Sequence, residues 1–392
     1  IDRSECVNQS VSGEEKAASQ SLDEKEAKIV AELICLAKRP CIIAGEGILR
    51  NNATESLVEF AEYSNVPVLT AWRRFDAFPN NHYLYLGGLH VSSYSNVLAE
   101  PLKKADLVIA IGTRLDEFST LNYSIPTSEQ KIIQIDQSAL EVKGRCEEFQ
   151  LHIATDVSEA IVKILNALKA SKGIEPSKSR QIELADWYKL YHRLTTPRRR
   201  RNTHLEGYID LEEIYYDIMK ILDNDTSITC DAGDFGGWLV RYYKWDQPHT
   251  FFGPTSGAMG YAFPAAISAK LARPESAAVA FAGDGGFAMT MSELETAVRY
   301  KLKRLVAIVF NNSCYGTIKR HQKREFPSRS IGTKLGKINF ADIANAMGAK
   351  GYVIKKNKEF PVALKSALDA GCPAVIDLSI SEKNPGPWDD IR

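Results

Sequence analysis

Short apolar runs recur along the chain, each followed by a longer stretch with apolar residues at helical spacing. In the first half, residues 24–38 place Ile29, Val30, Leu33, Ile34 and Leu36 as on one face of an amphipathic helix. The run PCIIA at 40–44 reads as a strand, followed by Gly45-Glu46-Gly47 and a helix over 54–64. Strands are expected at 66–70, 107–111 and 131–135, and a helix at 157–169. In the second half a helix at 211–222 precedes a strand at 227–230 and a loop at 231–236. A helix rich in small residues at 257–271 comes next, then the strand 277–282, a helical pattern at 290–300 and the strand 305–310 (LVAIVF). Helices near 340–347 and 359–370 lead to a last strand at 374–378. Strands alternating with helices predict the α/β class, here two doubly wound parallel-sheet domains, 24–172 and 206–392. Polar residues 1–23 and the Ser-, Lys- and Pro-bearing stretch 173–205 read as linkers. No internal repeat is evident.

Composition narrows this picture. A length of 392 residues suggests two or three domains. Lys plus Arg and Asp plus Glu both number 49, and this zero balance argues against nucleic acid or a membrane surface as partner. No apolar run approaches the roughly 20 residues of a membrane span. The seven cysteines are dispersed without a CxxC, which excludes a disulfide frame or zinc site as a first reading and fits a reducing, cytoplasmic setting. The chain has no signal-peptide pattern and does not begin with Met; opening in a linker, it is expected to be part of something longer. The run of arginines at 198–201 reads as a solvated segment or a subunit contact.

One stretch carries chemistry. Gly283-Asp284-Gly285 is followed, after 25 residues, by Asn311-Asn312. A carboxylate and an amide oxygen are hard ligands suited to Mg²⁺, which completes its shell with phosphate and water. Glycines let backbone N–H groups approach phosphate oxygens closely. The strands 277–282 and 305–310, joined by a crossover helix, should be parallel. Both ends then lie on the carboxyl edge of one sheet, where open α/β sheets bind ligands.

With that signature and those strands, the chain resembles thiamine diphosphate (ThDP) enzymes. Over residues 25–380 it is similar to the central, Rossmann-like domain and the cofactor domain of the acetolactate synthase and pyruvate decarboxylase group. The resemblance implies Mg²⁺ on Asp284, the Asn312 side chain and the Cys314 carbonyl. It places Gly283 in the same turn and makes Gly285, Gly286, Tyr315, Gly316 and Thr317 donors to the diphosphate. Gly233, Asp234 and Phe235 match the loop that covers it. The Gly257 carbonyl would accept from the aminopyrimidine, and Met259 would wedge between the cofactor rings, holding a weak base against the proton it removes.

The chain departs from the family's pattern at Cys314, where Gly, His or Ala is expected, and at Asp234-Phe235, where acetolactate synthases tend to carry Gln-His. It lacks the Gln-Trp pair downstream of the asparagines. Lys319, Arg320 and His321 read as a solvated helix face, with a substrate carboxylate as the other use. The family's glutamate on a pyrimidine domain has no counterpart here, so this chain alone is expected to be inactive. In the central domain, Gly45-Glu46-Gly47 is half of a dinucleotide fingerprint. Thr113-Arg114-Leu115-Asp116 resembles a flavin contact, leaving FAD or a vestigial packing domain.

The function implied is ThDP- and Mg²⁺-dependent decarboxylation or carboligation of a 2-oxo acid by a homodimer or homotetramer. The alternatives are a non-catalytic or partner-dependent ThDP- or nucleotide-binding subunit and a nicotinamide-dependent oxidoreductase, though the latter needs a complete GxGxxG.

Overall fold

In the computed structural model, described for residues 21–90, 97–137, 150–171, 178–199, 209–382, 384 and 386–389, twelve strands form two six-stranded, wholly parallel sheets. The first holds β1 (Pro40–Ala44), β2 (Val68–Thr70), β3 (Tyr85–Gly88), β4 (Leu107–Ile111), β5 (Lys131–Asp136) and β6 (Gln150–Ala154), in the order β3-β2-β1-β4-β5-β6. The second holds β7 (Ser227–Cys230), β8 (Phe251–Phe252), β9 (Ala278–Gly283), β10 (Leu305–Asn311), β11 (Lys350–Ile354) and β12 (Ala374–Ser379), in the order β11-β12-β10-β9-β7-β8. The first order reverses direction once, at β1/β4; the second reverses at β7/β9 and again at its far side, where β12 returns between β10 and β11.

The unbroken apolar runs are explained by burial on both faces of each sheet. Alternate residues enter different cores. Ile42, Ala44, Ile109 and Ile111 face one side of the first sheet, and Cys41, Ile43, Val108 and Ala110 the other. In the second sheet Val279, Phe281, Val306 and Ile308 build one core. Ala278, Ala280, Ala282 and Ala307 line the opposite face, against Ala262, Phe263 and Ala266 of the helix Ala262–Ala272. A row of alanines lets that helix approach the sheet closely.

Several elements differ from expectation. The first helix, Glu24–Leu36, buries Ala27, Val30, Ala31 and Ile34, while Ile29 and Leu36 are exposed. Its start is fixed by a capping box of Asp23 and Glu26. The helix expected from 257 begins at Ala262, because Gly257 and Gly260 take φ of 70° and 76°, outside helical space. The helical pattern expected at 290–300 forms a 3₁₀ turn, Met291–Glu293, and the helix Leu294–Arg299, and a separate short helix, Asp284–Thr290, precedes it. The connection at 173–205 contains an 18-residue helix, Lys178–Thr195, which buries Leu184 and Tyr191. Residues 1–20 and the run 200–208 lie outside the described residues.

The two domains interlock. Phe75, in the loop after β2, enters the core of the second sheet, 5.5 Å from the Trp245 ring and 5.1 Å from that of Phe251. Beside it, one Asp76 oxygen accepts the amides of Thr250 (3.0 Å) and Phe251 (3.1 Å), at edge strand β8. In the opposite direction, Trp388 joins the first domain's core and stacks on His90 at 4.7 Å. Among the described residues no helix is long and apolar enough to cross a membrane.

Candidate functional site

A cleft of about 240 Å³ opens at the carboxyl edge of the second sheet, at the β7/β9 reversal. This is where ligands of open α/β sheets are expected. Its floor is made by the ends of β7, β9 and β10, and each leads directly or through a short loop into a helix: Asp234–Tyr242, Asp284–Thr290 and Gly316–Glu325. The unpaired N–H groups of first helical turns therefore converge on one space and favour an anion there.

Asp284 sits at the centre and is 4% exposed. One oxygen accepts the Gly285 amide at 2.8 Å, and the other accepts the Cys314 amide at 3.2 Å. The same Cys314 amide is 3.0 Å from Oδ1 of Asn312. Two acceptor oxygens from neighbouring strand ends thus share a single donor. Burial pushes the Asp284 carboxyl above its ordinary range, and the backbone amides of Gly285 and Cys314 partly offset this. No Lys or Arg forms an ion pair with Asp284 among the described residues.

The two asparagines divide. Asn311 is bound away from the cleft: its Nδ2 donates to the Ile338 carbonyl and to Asp377, both at 3.0 Å. Asn312 lines the cleft. Ser313 makes the turn between them and Cys314 with φ 55°. Backbone pairing of Tyr315 with Thr333 and of Leu335 with Ser313, both at 2.8 Å, then pins this loop. The Tyr315 amide is consumed in that pairing, which leaves its hydroxyl as the donor it can offer, and Tyr315 lines the cleft. The Cys314 thiol is buried and pushed up by burial, which opposes a nucleophilic role.

Of the other expected residues, Gly233, Asp234, Phe235, Met259, Gly283, Gly285, Gly286, Gly316 and Thr317 all line the cleft. Gly257 does not; it is exposed, with open space around its α-carbon. The Asp234 amide donates to the Thr317 hydroxyl at 3.1 Å, and its carboxylate pairs with Arg320 at 3.1 Å. Lys319 pairs with Glu382. Both cations line the cleft, as does Lys323, while His321 contacts Arg324 on the exposed side. The glycines are sterically required: a Cβ on Gly285 would meet the Tyr315 ring at 2.3 Å, and one on Gly286 would meet Asp231 Oδ2 at 2.3 Å.

Asp231 is the residue that sequence reasoning missed. It is 1% exposed and accepts the amides of Gly260 (2.9 Å) and Ala262 (2.6 Å), which fixes the segment carrying Met259. Its partners are backbone amides about thirty positions away, and no side-chain pattern announces them.

The first sheet's reversal, at β1/β4, is built differently. A Cβ on Gly45 would stand 2.3 Å from the Gly112 carbonyl oxygen, and one on Gly112 would stand 2.6 Å from the Gly47 α-carbon. Gly45 and Gly47 also donate to the Ile111 and Gly112 carbonyls at 2.9 Å. Glu46 heads the short helix there, paired with Arg74 at 2.7 Å and Arg50 at 2.8 Å. Backbone closed on backbone, with a carboxylate at the helix start, does not fit the dinucleotide diphosphate that a Gly45-Glu46-Gly47 fingerprint would hold.

A glycine-lined cleft at a parallel sheet's reversal, with a buried carboxylate and an amide oxygen at adjoining strand ends, is a diphosphate-cofactor fold. The family comparison agrees: residues 231–378 match the C-terminal TPP-binding domain of thiamine pyrophosphate enzymes, and residues 27–164 match their central domain. The chain belongs to this family, and thiamine pyrophosphate (ThDP) is the cofactor its domains imply. It is 31% identical over 391 residues to the sulfoacetaldehyde acetyltransferase of Alcaligenes xylosoxydans xylosoxydans, covering 93% of this chain and 64% of that protein. It is 30% identical over 370 residues to the sulfoacetaldehyde acetyltransferase of Castellaniella defragrans (90% and 60% covered). Against the probable acetolactate synthase large subunit of Methanocaldococcus jannaschii it is 30% identical over 365 residues (91% and 60%). The chain spans about three fifths of the length of these relatives.

Proposed function

We propose that this protein decarboxylates a 2-oxo acid, or joins its acyl fragment to a second carbonyl compound, using ThDP held through Mg²⁺. The observation that carries the reading is the shared donor at the strand ends: Asp284 and Asn312 oxygens converge on one Cys314 amide. A buried carboxylate without a basic partner, beside a neutral oxygen ligand, is a donor set suited to a hard divalent cation. No cluster of three or more His, Cys, Asp or Glu competes for a metal among the described residues. Asp284, Asn312 and the Cys314 carbonyl would hold Mg²⁺, and Gly286, Gly316 and Thr317 would meet the diphosphate from the first turns of their helices.

When bound, the cofactor supplies the electron sink that decarboxylation requires. The chain's own part is placement. Met259, held through its neighbours by Asp231, would press against the cofactor and set its shape. The part of relatives' length that this chain does not span would complete the site, in a homodimer or homotetramer.

Titration of the full-length protein with ThDP, with and without Mg²⁺, tests this directly. Binding that depends on Mg²⁺ and is lost in Asp284→Ala supports the reading, and Mg²⁺-independent binding sinks the metal assignment. Feeding pyruvate and assaying CO₂ with acetolactate then tests the donor. The cations at the cleft, Lys319, Arg320 and Lys323, favour an anionic substrate, and the acetyltransferase relatives make sulfoacetaldehyde the second compound to try.

A further inference from the structure

Arg73 belongs to the first domain but reaches the end of β7 in the second. It follows β2 in the left-handed region, with φ 58°, and is 5% exposed. Its Nη1 donates to the carbonyl of Cys230, the last residue of β7, at 3.4 Å. Its guanidinium lies over the Trp72 ring, 4.7 Å from the centroid, and its Nε has no hydrogen-bond partner among the described residues. Gly253 admits it: a Cβ there would stand 2.9 Å from Nη1. The adjoining Arg74 turns away, to Glu46.

A buried cation in a strained backbone position needs a reason to be retained. The next residue after Cys230 supplies one. Asp231 is buried, both its oxygens are engaged by the Gly260 and Ala262 amides, and Gly286 of the cofactor cradle lies against it. Burial pushes the Asp231 carboxyl up; the amides of Ala262, Gly260 and Tyr261 oppose this, as does the charge of Arg73. Arginine suits the place because it stays charged when buried.

We propose that Arg73 is a positioning residue: by holding the Cys230 carbonyl at the end of β7, and so the place of the next residue, Asp231, it fixes the segment 257–262 and with it Met259. One domain thereby sets the cofactor geometry of the other. The catalytic consequence rests on the function proposed above; the structural one does not.

The test uses the full-length protein with Arg73→Met, Arg73→Lys and Gly253→Ala. The last displaces the guanidinium without removing its charge. The first readout is amide hydrogen exchange across 257–262 without cofactor. Arg73→Met should speed exchange at Gly260 and Ala262 by about tenfold or more, with Arg73→Lys between it and the parent. Gly253→Ala should follow Arg73→Met, and it decides the matter if Arg73→Met does not fold. The second readout is kinetic: ThDP affinity and kcat should fall while KM for the 2-oxo acid holds. Unchanged exchange at these two amides in the folded variants overturns the proposal. If the parent binds no ThDP, the functional reading fails, and the exchange result still decides the role of Arg73.

Discussion

The two sheets reverse direction at corresponding places, and both reversals are rich in glycine, but only one is open. At β1/β4 the glycines face one another, and a Cβ on Gly45 would strike a backbone carbonyl. At β7/β9 and the adjoining end of β10 they face side chains, those of Tyr315, Asp231 and Phe235, around a cleft. Glycine at a switch point therefore does not by itself make a phosphate site. What stands opposite the missing side chain decides whether the space serves packing or a ligand. The leading charge differs as well: Glu46 is neutralised by Arg74 and Arg50, whereas among the described residues Asp284 meets backbone donors alone.

The comparison can be broken in steps. Asp284→Ala should lower ThDP affinity measured with Mg²⁺ by about 100-fold or more, since even loss of an outer-shell partner costs about 10- to 100-fold in metal affinity. Retained affinity would show that the open crevice does not work through a metal. Gly45→Ala should destabilise the first domain by about 3 kcal/mol, the upper range for overpacking against atoms that cannot move, as read by urea denaturation. Its ThDP affinity, measured where the protein is folded, should match the parent's; a selective loss would mean that the closed crevice also serves the cofactor. Gly285→Ala meets a ring that can rotate, so its stability cost should be smaller, about 1 kcal/mol, with the larger effect on ThDP binding.

The smallest expected effect concerns the joint between the domains. Burial raises the Asp76 carboxyl, and the amides of Phe251 and Thr250 only partly offset it. The native state then holds this proton more tightly than the unfolded chain. Its contribution is fully present below the ordinary carboxylate pKa of about 4 and is lost as pH rises through the raised value. Parent stability relative to Asp76→Asn should therefore decline by about 1 kcal/mol on raising the pH from about 4 toward neutrality. A flat difference in denaturation midpoints across that series would refute the burial argument.

Legibility in the sequence followed burial. β1, β4 and β7 could be read to the residue because runs such as LVIAI are enclosed on both faces. β11 (KGYVI) could not, because an edge strand half open to solvent has no apolar run to show. The two residues of β8 are too few for any period. At the site, Asp284 and Asn312 were visible because a carboxylate and an amide at two strand ends, with a fixed crossover between them, leave a recognisable spacing in the sequence. Asp231 and Arg73 were not visible. One acts on backbone amides, and the other sits in an Arg-Arg pair with no pattern to mark it, buried by the fold over Trp72 and against the Cys230 carbonyl.

The Asp76 contact has a further consequence, for solubility. A sheet's outermost strand presents free donors to any passing strand and is a common starting point for aggregation. Here Asp76, carried by the neighbouring domain, occupies the Thr250 and Phe251 donors at β8. It caps the edge without offering a ladder of its own. Separation of the domains would uncap that edge, so the contact joining the two halves also shields β8 from a strand of another molecule.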